Sequence, residues 1–167
     1  AIQIDNYNKQ YNTKYNYIIP CNLYGTTEKT SEKNAHFMTA LINKIDIANK
    51  NKEESIKLFG NGKPKRQLLY AKDFAKILKL MVKSDITESF NVSPKEAYTI
   101  KQIAKIALKA TNSKNIKITF DQTKPNGQLI KILDTTLFNK LFYNFKYTSL
   151  EDGIKEYYST ICDNKNK

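Results

Sequence analysis

Glycine is scarce in this chain, with five among 167 residues, and none stands in a GxGxxG or GxxxxGKS/T pattern. The chain therefore carries no phosphate-cradling glycine loop of its own. Cysteine is nearly as rare. Cys21 and Cys162 lie far apart without a CxxC spacing, which reads as reduced thiols in a cytosolic protein with no metal site. No apolar run approaches the ~18 residues that a spanning helix needs. No basic stretch precedes an apolar one as in a secretory leader. The chain is thus expected to be cytoplasmic and to have no membrane partner.

Arginine and histidine occur once each, as Arg66 and His36. The net charge of +12 is therefore almost wholly a matter of lysine. Readers of nucleic acid lean on arginine for bidentate contacts to phosphate and guanine. The lysines here are scattered, and they accompany abundant Asn and Ile, the trio that AT-rich codons encode. No specific nucleic-acid partner is expected, although a non-catalytic basic binding module stays open as an alternative.

What is present argues for a folded core. Hydrophobic residues make up 40 %, with 11 tyrosines and 8 phenylalanines. A chain of this length buries roughly 70 % of its unfolded surface. Apolar spacing predicts a helix within residues 1–12, whose first turn has no capping residue before it. A strand at "YNYIIP" then leads into a loop at "CNLYG". A helix from 34 to about 50 follows, with Phe37, Leu41, Ile45 and Ala48 as its inner stripe. "SIKLF" and "RQLLY" read as strands around the "GNGKPK" turn. The next helix, 71–84, turns Phe74, Ile77, Leu78 and Met81 inward. "SFNV" is a strand, and Thr99 with Gln102 forms a capping box for the helix after it. "NIKITF" alternates as a strand, "DQTKPNGQ" is a loop, and two helices close the chain, the last capped by Ser149 and Asp152. This is an α/β order with too few strand–helix units for a complete doubly wound domain.

Six segments carry a resemblance: "IIPCNLYG" (18–25), "NAHFMTALINK" (34–44), "KLFGNGKPKRQLLYAKDFA" (57–75), "FNV" (90–92), "YTIKQIAKIA" (98–107) and "FDQTKPNGQLIKILD" (120–134). In order and spacing they resemble the C-terminal half of the GDP-L-fucose synthase family, a branch of the extended short-chain dehydrogenases/reductases. The resemblance implies the substrate-binding portion of such an enzyme, lacking most of the Rossmann domain. Residues 1–33 would be the last strand and helix remnant of the dinucleotide-binding domain, and 34–167 mainly the substrate-binding domain. The family's catalytic Tyr-x-x-x-Lys would fall just before Ala1; no such pair occurs in this sequence. The chain by itself is therefore expected to be inactive.

The same resemblance assigns roles to residues. His36 matches the family's acid in epimerisation and also touches the cofactor; imidazole suits the work because it titrates near neutrality. Its position off the stripe of Phe37, Leu41 and Ile45 already disfavours a core role. Pro20, Cys21, Asn22 and Leu23 match the segment beside the nicotinamide of NADP, with Cys21 in place of a threonine. Arg66 matches a diphosphate clamp, since guanidinium grips two oxygens at once. Lys44, eight residues after His36, is placed to project into the same cleft and by the family pattern faces the nucleotide; Phe59 replaces a tryptophan expected to pack on the nucleotide sugar, and Asn126 replaces an aspartate. As plain residues, Phe59 is equally a strand core residue and Asn126 equally a turn-former. Ile130 stands where the family has arginine. The implied whole is a homodimeric NADPH-dependent epimerase/reductase acting on a GDP-4-keto-6-deoxy sugar. A reductase or epimerase of another GDP-4-keto sugar, such as a heptose, is the close alternative.

Overall fold

The computed structural model describes residues 1–25 and 36–165, with side chains described up to residue 162. The chain opens with α1 (Ile2–Tyr11), β1 (Ile18–Pro20) and β2 (Asn22–Tyr24). Next come α2 (Phe37–Asn51), β3 (Ser55–Phe59), β4 (Lys65–Arg66), β5 (Leu68–Tyr70) and α3 (Ala71–Val82). The remainder is β6 (Phe90–Val92), β7 (Tyr98–Thr99), α4 (Ile100–Ala110), β8 (Lys117–Asp121), β9 (Ile130–Lys131), α5 (Thr136–Leu141) and α6 (Leu150–Lys165). Residues 34 and 35, where the α2 helix was expected to begin, and the expected domain boundary at 33/34 lie outside the described residues.

Three two-stranded sheets are parallel: β1 with β6, β2 with β5 and β3 with β8. Parallel neighbours need crossover connections, here supplied by the helices. The fourth sheet has the order β7-β4-β9, with β4 antiparallel to β7 and parallel to β9. The α/β class expected from the sequence is what the structure has. Several local expectations need correction. "CNLYG" is not a loop, because Asn22, Leu23 and Tyr24 pair in register with Leu68, Leu69 and Tyr70. "RQLLY" is not one strand, because Gln67 interrupts it between β4 and β5. The short strands β7 and β9 were not anticipated. Leu78 does not point inward but is 41 % exposed.

The helices follow from stripe and cap. In α2 the buried apolar positions are Met38, Leu41, Ile42, Ile45 and Ala48, one face of a 3.6-residue period. The helix stops at Lys52, which takes a left-handed φ of 56° and donates its N–H to carbonyls of the last turn. In α4 the capping box is complete: Gln102 N–H donates to the Thr99 hydroxyl, and the Gln102 side chain accepts from Thr99 N–H. The Ser149 hydroxyl likewise accepts from Asp152 N–H and donates to its carboxylate at the start of α6. By contrast, α1 buries no residue; Tyr7, Tyr11 and Tyr15 contact one another on its surface.

Two cores result. The larger joins α2, α4 and α6 to β3, with Ile42, Ile45, Ile103, Ala104 and Ile154 all fully shielded. The smaller joins α3, β6 and α5 around Phe138, whose ring lies 5.2 Å from that of Phe142. Strand β5 runs between them. Leu68 and Tyr70 face the first core and Leu69 the second, as the two-residue period of a strand requires. Gly153 lets α6 approach β2: a Cβ there would collide with the Tyr24 hydroxyl.

A buried carboxylate joins the two regions. Asp73 in the first turn of α3 is 1 % exposed. It accepts from the Thr148 N–H at 2.6 Å and the Thr148 hydroxyl at 3.0 Å, and pairs with Lys76 at 2.9 Å. Charge-assisted bonds of this kind contribute ~1.5–3 kcal/mol each when intact. Lys76 is largely exposed and its pairing is worth less. Asp73→Ala is therefore expected to lower the unfolding free energy by ~2–4 kcal/mol, and Lys76→Ala by under ~1 kcal/mol. Urea unfolding of the two variants checks this; equal midpoints would refute the Asp73 assignment.

Candidate functional site

The parallel pairing of β2 with β5 lays the backbone from Cys21 to Gly25 alongside Leu68 and the first residue of α3. The N-terminal end of α2 stands opposite. Between them lies an open cleft of about 580 Å³, lined by Cys21, Asn22, Leu23, Tyr24, Gly25 and His36 on its polar side. Phe37, Met38, Leu68 and Ala71 supply the apolar wall. This volume falls within the ~300–1,000 Å³ range of small-molecule sites.

His36 is the residue before α2, in extended backbone conformation, with its carbonyl accepting from Ala40 N–H at 3.0 Å. It is exposed, off the core, as its spacing predicted. The first turn of a 15-residue helix thus faces the cleft without a side-chain cap bond. Its N–H groups and dipole favour negative charge there. Asn22 and Leu23 line the same cleft. Pro20 ends β1 opposite Val92, one residue outside it.

Two other groups have shifted acidities. Burial pushes the Cys21 thiol up, opposed by a hydrogen bond with Ser93 and, more weakly, by the Lys131 charge. Burial also raises the Tyr24 phenol, reinforced by Tyr70 and the nearby carboxylates Asp73, Asp152 and Glu156. Tyr24 therefore stays protonated at neutral pH and does not serve as a base in the cleft.

The remaining predicted residues gather on a second rim, at the carboxyl ends of β3 and β8. Lys44 lies eight residues along α2 from His36, ~12 Å by helical rise. Its ammonium donates to the Lys57 carbonyl at 2.7 Å and sits 5.3 Å from the centre of the Phe59 ring. Phe59 is 65 % exposed, which removes the reading of it as a strand core residue. Asn126 accepts from Asn61 N–H at 2.7 Å and so closes the turn after β3. Gly60 is required in that turn: its φ is 79°, and a Cβ there would stand 2.5 Å from Asn126 Oδ1. Arg66 donates from Nη1 to the Lys65 carbonyl at 2.7 Å. Its other terminal nitrogen lies beside Gly127, 3.7 Å from where a Cβ would be. Ile130, 53 % exposed, pairs with Lys65 across β4 and β9.

Sequence reasoning missed Met38, Leu68 and Ala71 in the cleft wall, since apolar spacing does not tell a lining residue from a core residue. It also missed Gln67. That residue is 3 % exposed, and its only signal was a polar residue inside a strand pattern. Among the described residues no cluster of three or more His, Cys, Asp or Glu could hold a metal ion, and no helix is long and apolar enough to cross a membrane.

The fold and cleft together define an α/β protein with a cleft of small-molecule size beside its parallel strands β2 and β5. Residues 1–93 match the NAD dependent epimerase/dehydratase family, and the chain belongs to that family. It is 30 % identical over 155 residues to GDP-L-colitose synthase of Yersinia pseudotuberculosis, a match covering 92 % of this chain and 50 % of that protein. It is 29 % identical to GDP-L-fucose synthase of Dictyostelium discoideum, over 95 % of this chain and 50 % of that one. The structure superposes with a TM-score of 0.85 on a GDP-L-fucose synthetase from Naegleria fowleri bound to NADP, at 28 % identity, covering 99 % of this chain and 55 % of that one. The chain spans about half the length of the curated relatives it matches.

The raised pKa of the Cys21 thiol gives a direct check on the cleft. A peptide thiol titrates near ~8.5. At pH 8 Cys21 should hold less thiolate than that, and should be alkylated by iodoacetamide several-fold more slowly than a cysteine-containing peptide. Its rate should still be climbing at pH 9, where the peptide levels off. Mass spectrometry of the Cys21 peptide reads both, and a rate equal to the peptide's would show the thiol to be unburied.

Proposed function

We propose that this chain is the substrate-binding part of a nicotinamide-dependent epimerase/reductase acting on a GDP-linked 4-keto sugar. The observation that carries the reading is the division of the site. His36 and the Cys21–Gly25 segment share one cleft, while Lys44, Phe59, Arg66 and Asn126 share one rim. The names of the relatives, GDP-L-colitose synthase and GDP-L-fucose synthase, support the substrate class. NADP in the Naegleria fowleri structure supports the choice of nicotinamide cofactor. Heptose chemistry is the second reading, favoured by Ile130 in place of a cation at the rim.

The cleft fits one end of a dinucleotide. It offers a backbone wall and an apolar wall for a flat ring, but no glycine loop for a pyrophosphate, so Cys21, Asn22 and Leu23 would border the nicotinamide end alone. When bound, the cofactor supplies a hydride to the sugar carbonyl. The chain's own residues do the rest. Arg66 grips the diphosphate by two N–H groups, and Phe59 covers the nucleotide sugar with its exposed ring. His36 delivers or accepts a proton at carbons adjacent to the carbonyl, whose C–H bonds the ketone acidifies. By the family pattern the reduced oxygen takes its proton from the tyrosine of a Tyr-x-x-x-Lys pair, which this sequence does not contain, so the reading predicts no steady turnover by this chain alone.

Calorimetry with GDP tests the rim. Arg66→Ala should weaken binding by ~1.5–3 kcal/mol, and Lys44→Ala by less, because an ammonium has no bidentate fork. Equal affinity of wild type and Arg66→Ala would refute the clamp.

The cleft is tested in the full-length enzyme. General acid–base catalysis is worth roughly 10²–10⁴-fold. His36→Gln should slow deuterium incorporation from D₂O at C3 and C5 by that order, while reduction of a substrate already in the product configuration is affected far less. Normal incorporation by the variant would remove His36 from the chemistry. No incorporation by the wild type would favour the reductase-only reading.

A further inference from the structure

Gln67 occupies the one-residue gap between β4 and β5 and is 3 % exposed. The alternation of a strand sends its side chain inward where Arg66 points outward. Its amide joins two backbone segments that do not otherwise meet at this point. Nε2 donates to the Pro94 carbonyl at 2.9 Å, and Oε1 accepts from Leu133 N–H at 2.8 Å. The segment ending at Leu133 is the one that returns across β4. Lys65 N–H donates to the Leu129 carbonyl at 2.8 Å, and Arg66 stands opposite Lys131 in the β4–β9 register. Gly127, at the start of that return, forms the wall beside the Arg66 guanidinium. Farther along, Asn91 donates to the Asp134 carbonyl at 2.9 Å.

The strand β9 has only two residues and both are exposed. So short a strand does not hold its own register, and a buried side-chain bond at its end supplies what the ladder lacks. The position calls for a side chain that both donates and accepts, as an amide does. Leu133 offers a donor and Pro94 an acceptor, and a side chain with one kind of group leaves the other backbone atom unpaired. We propose that Gln67 is a positioning residue for Arg66: by fixing residues 127–133 across β4 it holds the guanidinium in the pose that receives a diphosphate. This rests on the reading of Arg66 as an anion clamp.

Arg66 is the only arginine in the chain, so its side-chain Nε–H gives a single arginine NMR signal. The test follows that signal, amide exchange at Leu133 and GDP affinity in wild type, Gln67→Met, Arg66→Ala and the double variant. Gln67→Met should shift the Nε–H signal toward its position in the urea-unfolded chain and speed Leu133 exchange. It should weaken GDP about tenfold, the loss equivalent to one good hydrogen bond, and add no further loss in the Arg66→Ala background. Should Gln67→Met fail to fold, Gln67→Glu keeps the acceptor for Leu133 but loses the donor to Pro94, and should shift the same Nε–H signal. An unmoved Nε–H signal overturns the proposal, as does an equal GDP loss with and without Arg66. A wild type that ignores GDP while the Nε–H signal moves upholds the positioning role and overturns the nucleotide reading instead.

Discussion

The strand from Leu68 to Tyr70 is the constraint on which the rest of the molecule depends. All three of its residues are buried, and they divide between two cores. Fully burying a leucine is worth ~1.5–3 kcal/mol, so this short strand commits both cores to one placement. Its parallel pairing with β2 then lays down the cleft wall, and its direct continuation into α3 delivers Asp73 to Thr148. Arg66 and Gln67, the proposed clamp and its proposed positioning residue, sit immediately before it. Site geometry thus rests on one continuous stretch from Lys65 to Asp73, pinned by long-range side-chain bonds from Gln67 to Pro94 and Leu133 and from Asp73 to Thr148.

How much of this the sequence disclosed varied with the kind of signal. The helices were legible because stripe and cap agree: Thr99 and Gln102, or Ser149 and Asp152, mark a start without reference to any other part of the chain. Strands β7 and β9 were not legible. Two residues give no period, and both exist only because β4 lies between them. "CNLYG" reads as a loop for the same reason, since the pairing partner that makes it a strand is more than forty residues away. Leu78 shows the converse error. It lies at helical spacing from buried positions, yet α3 covers only one core and leaves that side of the helix outside.

The site residues were legible through the family pattern rather than through local physics. Taken alone, His36 is one imidazole and Phe59 one ring at a strand end. The structure adds two facts that argue against packing: His36 borders a cleft instead of a core, and Phe59 is left exposed under a lysine. Asn126 keeps both meanings. Its carbonyl oxygen closes the turn at Asn61, so the residue already has a structural duty that an aspartate in the same place would also perform.

Charge supplies the last step. With +12 overall and a single guanidinium, the chain attracts anions broadly through its lysines and orients them at one place. At the rim Lys44 is already committed to a carbonyl and to the Phe59 ring. The neighbouring strand presents exposed Ile130 beside Lys131, which stands opposite Arg66, and Leu129 just before them is 61 % exposed. An anion arriving there therefore meets one fork-shaped donor among lysines and apolar surface. In such a setting binding strength depends less on the number of cations than on how rigidly that one side chain is held. On the proposed reading of Arg66 as a diphosphate clamp, the stiffness of the β4–β9 crossing, rather than the surplus of lysine, would set its selectivity.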